Sequence, residues 1–264
     1  MNILEFISVG QNEKPLDRMV TDGGFCGIFR TIGCIGDSLS SGEFESLNAD
    51  GVKGYHDYYD YSWGQYIARA CGSKVYNFSR GGMTAEEFMT SYAEKCGAWS
   101  QEKVCQAYII ALGVNDIICQ NREFGSINDI CKEDYEKNAP TFAGYYARII
   151  QKIKTLQPRA KIFLVSVPAH NEEKDADRKK IRDLLEEFTK IFNRTYLVDL
   201  YTYAPVNDQA FSEVFWHGHM TPTGYVLTAR MIESYIDYII RKNPKDFNQV
   251  GFIGTNLYYS PEEE

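Results

Sequence analysis

Five apolar runs rich in β-branched and aromatic residues recur along the chain: Thr31 to Ile35, Lys74 to Phe78, Ala107 to Leu112, Lys161 to Val167 and Tyr196 to Leu200. Their length and composition read as buried strands. Between them the apolar positions shift to the period of helices that face a core. Trp63, Tyr66, Ile67 and Ala70 mark one helix, which stops near Gly72. Thr84, followed by Ala85-Glu86-Glu87, predicts an N-cap and an acidic first turn. Phe142, Tyr145, Tyr146, Ile149, Ile150, Ile153 and Leu156 form the strongest stripe, ending before Pro158. Another runs from about Asp177 to Phe192, with Ile181, Leu184, Leu185, Phe188 and Ile191 on one face, and Thr223 to Ile240 is the last long helix.

Strand–helix alternation of this kind predicts an α/β fold with a parallel five-stranded sheet covered by helices on both faces. Right-handed crossovers make it a three-layer α/β/α sandwich, flavodoxin-like. With no repeat, low-complexity tract or linker, residues 1–264 read as a single domain with a core of about 30–242. The first ~25 residues and the tail after Asn243 lack periodicity and are expected to pack on that core as extended segments. Ile117 to Pro140 is a long connection, of a length that suits a lid or binding loop.

Composition narrows the class. Hydrophobic residues make up 44% and charged residues 24%, ordinary for a globular protein. A net charge of −8 argues against a nucleic-acid partner, since phosphates need a basic face. No stretch approaches the roughly 18 apolar residues of a membrane span. The N-terminus has neither a basic region nor a continuous apolar one, so no secretory signal is read and a cytoplasmic location is expected. Seven scattered cysteines without C-x-x-C spacing read as reduced core thiols, not as a disulfide framework or zinc site. No cofactor is expected. The 19 tyrosines cluster in part between Tyr55 and Tyr66, where they either line a binding cleft or simply pack the surface.

Candidate chemistry lies at the strand ends, where open α/β sheets place their ligands. The first strand runs into Gly36-Asp37-Ser38-Leu39. Ser38 is a candidate nucleophile there, although Gly-Asp-Ser is also an ordinary turn or helix cap. After the second strand, Gly81-Gly82-Met83-Thr84 leads into a helix N-terminus, so Gly82 can donate its N–H to developing negative charge, or serve only as a turn. After the third come Gly113-Val114-Asn115-Asp116, with Asn115 either a second donor or an Asx-turn. His217-Gly218-His219 stands just before the last helix. Jointly these supply a nucleophile, a base and oxyanion donors on one sheet edge, the parts acyl transfer requires.

The four blocks resemble the SGNH hydrolases of the GDSL esterase/lipase family: Gly36-Asp37-Ser38-Leu39-Ser40; Asn77 with Gly82 and Thr84; Gly113-Val114-Asn115-Asp116; and His219 with Gly224-Tyr225. The resemblance spans Ile32 to Tyr225 and implies the SGNH hydrolase fold. It implies Ser38 as nucleophile and His219 as general base. The N–H groups of Ser38 and Gly82 and the Asn115 side chain would form the oxyanion hole. Asp37 holds the serine turn and, with Tyr55, Tyr58 and His217, is expected beside the substrate.

One departure stands out. The family's aspartate three residues before the histidine is replaced by Trp216. Either the backbone carbonyl of Trp216 or of a neighbour accepts from the ring, giving a Ser–His dyad, or a carboxylate elsewhere substitutes: Asp199 at the end of the fifth strand, or Asp208 or Glu213 in the loop before the histidine. The third possibility is a chain that binds a ligand with little turnover. His217 can replace His219 as base, but the spacing to Gly224-Tyr225 favours His219. Metal binding by the His-x-His pair is disfavoured, because His56 and His170 are the only other imidazoles and no further ligand sits at suitable spacing. A flavodoxin-like nucleotide binder is weaker still, lacking Gly-x-Gly-x-x-Gly and a P-loop. The expected activity is hydrolysis of a small acyl or carbohydrate-linked ester through an acyl-enzyme, in a chain whose oligomeric state the sequence leaves open.

Overall fold

The computed structural model describes residues 7–171 and 175–251; the first six residues and the tail beyond 251, both parts of the expected terminal extensions, lie outside it. β1 (Thr31–Gly36) runs into the one-turn helix α1 (Ser38–Ser41) and a hairpin of β2 (Glu43–Leu47) and β3 (Lys53–Asp57). α2 (Trp63–Cys71), β4 (Lys74–Ser79), α3 (85–95) and β5 (Ala107–Ala111) follow. Next come α4 (Phe142–Leu156), β6 (Lys161–Val165), α5 (Asp175–Ile191) and β7 (Thr195–Val198). Two short helices, α6 (Leu200–Tyr203) and α7 (Gln209–Phe215), lead to the small hairpin β8 (Trp216–His217) and β9 (His219–Met220), then to α8 (Pro222–Lys242).

The main sheet has five strands in the order β4-β1-β5-β6-β7, all pairs parallel. That is the flavodoxin-like order, and its direction reverses beside β1. Alternation along the strands sorts side chains to two faces. Ile32, Cys34, Ile109, Phe163 and Val165 pack under α2 and α8, with Trp63, Ile67, Ile232 and Ile236. Ile35, Tyr108, Ile110, Ile162 and Leu164 pack under α3, α4 and α5, with Phe88, Tyr146, Ile150, Leu185 and Phe188. Each fully buried large side chain contributes about 1.5–3 kcal/mol, so these two layers hold the fold.

Register positions the site. Gly36 pairs with Ser79 of β4 on one side and Ala111 of β5 on the other. The three central strands therefore end level, and their exits carry Ser38, Gly82 and Asn115. Gly36 is required by close packing, since a Cβ there would overlap the Ser40 side chain and press on Ala111 O.

The structure shifts some expectations. The fifth strand stops at Val198, because the Asp199 carboxylate caps α6 by accepting from Thr202 N at 3.1 Å. The β2–β3 hairpin is absent from the sequence expectations, because β3 is largely exposed and the half-buried start of β2, Glu43-Phe44-Glu45, lacks a hydrophobic alternation. The connection from Ile117 to Pro140 is clamped rather than free. Arg148 on α4 donates to Glu136 O (2.9 Å) and Asn138 O (2.6 Å), and Phe124 and Ile130 pack against the core.

Candidate active site

Ser38 is the first residue of α1, entered through an extended Asp37 whose Oδ1 accepts from Leu39 N at 3.0 Å. This N-cap fixes the sharp exit from β1 and leaves the serine half-exposed at the strand end. Asp37 itself is buried, and burial pushes its carboxyl up to about 7.

Across the strand end, Gly82 adopts a φ of +72°, and a Cβ built on it would meet nothing within 4 Å. Glycine is therefore needed for the backbone turn, and open space lies over it. The helix that follows satisfies its own N-terminus: Thr84 Oγ1 accepts from Glu87 N at 3.1 Å, and Asp116 Oδ1 from Ala85 N at 2.9 Å. Among the described residues, the N–H groups of Ser38 and Gly82 have no acceptor.

Asn115 joins the two loops. Its Nδ2 donates to Asp37 Oδ2 at 3.3 Å and to Met83 O at 3.2 Å. One side chain thus ties the serine turn to the glycine loop. The neighbouring Asp116 is buried, with its Oδ2 unpartnered, and burial pushes its carboxyl up to about 7.

His219 reaches this edge from β9, which packs against α1. Trp216 stacks on its ring at 6.4 Å and 10°, and Tyr55 meets it edge-on at 5.7 Å. Glu43 Oε1 lies 3.0 Å from His219 Nε2. Among the described residues Nδ1 is buried without a hydrogen-bond partner, and no hydrogen bond joins the ring to Ser38. Burial holds the imidazolium below its usual range, opposed by Glu45 and Asp57. Burial, then repulsion from Asp57, raises the Glu43 carboxyl.

A model of the GDSL-like lipase/acylhydrolase family matches residues 34–227, most of the chain and all four blocks. The chain belongs to that family. Among the curated proteins compared with this acylhydrolase family member, none matches in sequence. Several solved structures share its fold. A protein from Lactobacillus plantarum is 15% identical with a TM-score of 0.59, over 79% of this chain and 97% of that one. A family two carbohydrate esterase from Clostridium thermocellum, in complex with cellohexaose, is 16% identical with a TM-score of 0.53, over 82% of this chain and 65% of that one. A family two carbohydrate esterase from Cellvibrio japonicus is 17% identical with a TM-score of 0.52, over 80% and 62%.

The other expected site residues scatter. Asp199 is spent at the far end of the sheet, 2.9 Å from Arg182 Nε and accepting from Ser166 Oγ at 3.2 Å. Asp208 caps α7 through Phe211 N at 2.9 Å, and Glu213 accepts from Gln209 at 3.0 Å. Trp216 contributes its ring face to the histidine, and its carbonyl does not bond Nδ1. Tyr58 packs on Phe44 at 6.0 Å, while His217 is exposed opposite His219 in the small hairpin. The residue that sequence reasoning missed is Glu43. It lies just after the serine helix, but only the packing of β2 against β9 brings it to the ring.

Two cavities flank this edge. One of about 70 Å³ is lined mainly by apolar groups, including Leu39, Trp63, Leu112, Val165 and Met220. A wider cleft of about 430 Å³ is bordered by Asp57, Tyr59, Asn77, Arg80 and Tyr92. Among the described residues no cluster of His, Cys, Asp and Glu is arranged to hold a metal ion, and no helix is long and apolar enough to cross a membrane.

Proposed function

We propose that the chain is a serine ester hydrolase that cleaves a short acyl group, acetyl above all, from a carbohydrate-linked alcohol. The observation that carries this reading is Asn115, which links the Asp37–Ser38 turn to the Met83 carbonyl beside Gly82. In this reading the Ser38 N–H, the Gly82 N–H and Asn115 Nδ2 are the donors to the oxyanion, Asn115 turning from its present partners as charge develops.

Ser38 Oγ attacks the ester carbonyl carbon while its proton passes to His219. The carbonyl oxygen takes the negative charge and is held by the three donors. The intermediate collapses, the ester C–O bond breaks, and the alcohol leaves with the proton from His219. Water then attacks the acyl-enzyme, giving its proton to His219, and the acid departs as Ser38 recovers its proton.

The cavity volumes support the substrate class. About 70 Å³ is half of the roughly 150 Å³ that accommodates a benzene-sized guest, which suits a short acyl chain and not a fatty one. The cleft of about 430 Å³, where Tyr59, Tyr76 and Tyr92 stand beside Asp57, Asn77 and Arg80, offers a nearby surface on which a sugar ring could rest. The carbohydrate esterases of the same fold agree with this direction.

The test is labelling by a fluorophosphonate together with hydrolysis of p-nitrophenyl acetate and acetylated sugars. Both are expected in the intact protein and absent from Ser38→Ala and His219→Ala. A protein that takes no label would instead be a ligand-binding member of the family, a reading favoured by the missing Ser38–His219 hydrogen bond.

A further inference from the structure

The His219 ring can act through one nitrogen only. Among the described residues Nδ1 is enclosed and unpartnered, so neither a serine hydroxyl nor a substrate meets it. Nε2 is the other nitrogen, and Glu43 Oε1 lies 3.0 Å from it. We infer that Glu43 is an autoinhibitory latch, whose carboxylate occupies Nε2 in this state and must turn away before His219 can take a proton from Ser38. This rests on the reading of Ser38 and His219 as the reactive pair.

The contact disables the ring in either protonation state of Glu43. A carboxylate only accepts, so Nε2 then carries a proton and has no lone pair for the serine. A protonated Glu43 donates to Nε2 and fills that lone pair instead. The missing hydrogen bond between His219 and Ser38 thus has a local cause. The second carboxylate oxygen reaches the opposite side of the site. A Cβ built on Gly81 would stand 2.1 Å from Glu43 Oε2, so this oxygen rests on the backbone just before Gly82. The carboxylate therefore spans from the base to the glycine loop, the ground on which the ester carbonyl has to lie in the proposed reaction.

The latch can release without moving a strand. Its backbone is fixed: Glu43 pairs with Asp57 across the hairpin, and the Tyr225 hydroxyl donates to its carbonyl at 2.7 Å. The same hydroxyl lies 3.4 Å from the Ser38 carbonyl, which ties β2 to the serine turn. The side chain is held differently. Among the described residues its carboxylate makes a single polar contact, the one to His219. Burial, then repulsion from Asp57, disfavours its charge there. Rotation of the unbranched side chain frees Nε2, while Trp216 and Tyr55 keep the ring in place from its face and its edge. An ester entering the same ground competes with the carboxylate directly.

Gly81 gives a second way to move it. Its φ is not positive, and the three nearest atoms that an added Cβ would meet all belong to the Glu43 carboxylate group, the far end of a flexible side chain. Gly81→Ala evicts the carboxylate while leaving Glu43 in the chain.

The experiment compares the intact protein with Glu43→Ala, Gly81→Ala and Ser38→Ala at pH 8, where the His219 ring, whose charged form burial disfavours, is neutral. Acylation of His219 by diethyl pyrocarbonate, followed by peptide mass spectrometry against the exposed His217, reads Nε2 directly. Fluorophosphonate labelling reads Ser38, and the melting temperature reads folding. Both rates are expected to rise by about 10–100-fold in Glu43→Ala and in Gly81→Ala, as the closed state loses one charge-assisted hydrogen bond. A carboxylate that only props the hairpin would lower the melting temperature and raise neither rate. Ser38 labelling that is unchanged or slower in the folded variants overturns the latch, and Gly81→Ala decides alone if Glu43→Ala fails to fold. Faster His219 acylation with no Ser38 labelling in any of the proteins overturns the underlying reading of Ser38 instead.

Discussion

Asn115 donates through Nδ2 to Asp37 Oδ2 at 3.3 Å and to Met83 O at 3.2 Å, and Asn115→Ala removes both bonds at once. Two effects are expected, and they separate in different assays. The first is on stability. Asp37 keeps its Oδ1 bond to Leu39 N, but Oδ2 is left buried without its donor. An unmet buried acceptor costs about 1–3 kcal/mol. For a chain of this size that is a fall of about 2–12 °C in Tm, at roughly 2–4 °C per kcal/mol. The fall is larger at pH 8 than at pH 6, because the Asp37 carboxyl, pushed up to about 7, is then an anion. The second effect is on chemistry. In the proposed reading Nδ2 also donates to the oxyanion. Its loss lowers kcat by about 10²–10³, or ~2.7–4 kcal/mol of barrier, with a smaller change in KM. Turnover per fluorophosphonate-labelled site, measured well below the variant's Tm, isolates this term from unfolding. A kcat within about threefold of the intact protein, ~0.7 kcal/mol of barrier, would refute the assignment of Asn115 as an oxyanion donor.

Two further outcomes are expected. The Asp116 carboxyl is raised to about 7, above its unfolded value, so its contribution to stability is full below about pH 4 and is lost as pH rises through about 7. Asp116→Asn should flatten the decline in urea-unfolding free energy between pH 5 and pH 8, and an unaltered slope would contradict this. Arg182→Ala leaves Asp199, with a side chain only 4% exposed, buried without its cation. Urea unfolding should show a loss of about 3–5 kcal/mol, while the acid limb of the pH–rate profile stays fixed; movement of that limb would return Asp199 to the histidine.

The parts of the fold that were legible are those with local causes. Residues Phe142 to Leu156 show a helical stripe because one face lies on the sheet, and the helix was expected within those bounds. The strands at Thr31 and Lys74 read as apolar runs because the sheet is covered on both sides. The hairpin at residues 43–57 leaves no such pattern: β3 faces mostly solvent, and the half-buried positions of β2 are held by the charged Glu43 and Glu45 around Phe44. Asp199 looked available beside the fifth strand, yet Arg182 on α5 claims it, and that pairing is set by how the helix packs.

Sequence alone determined the family and the three strand exits that carry Ser38, Gly82 and Asn115, because these residues sit in short motifs whose backbone demands are local. Gly36 must admit Ser40, and Gly82 must take a positive φ. Only the tertiary structure decided what stands beside His219. The Glu43 carboxylate reaches the ring because β2 packs against β9, and the orientation of a side chain across such a contact depends on packing, not on neighbours in the chain.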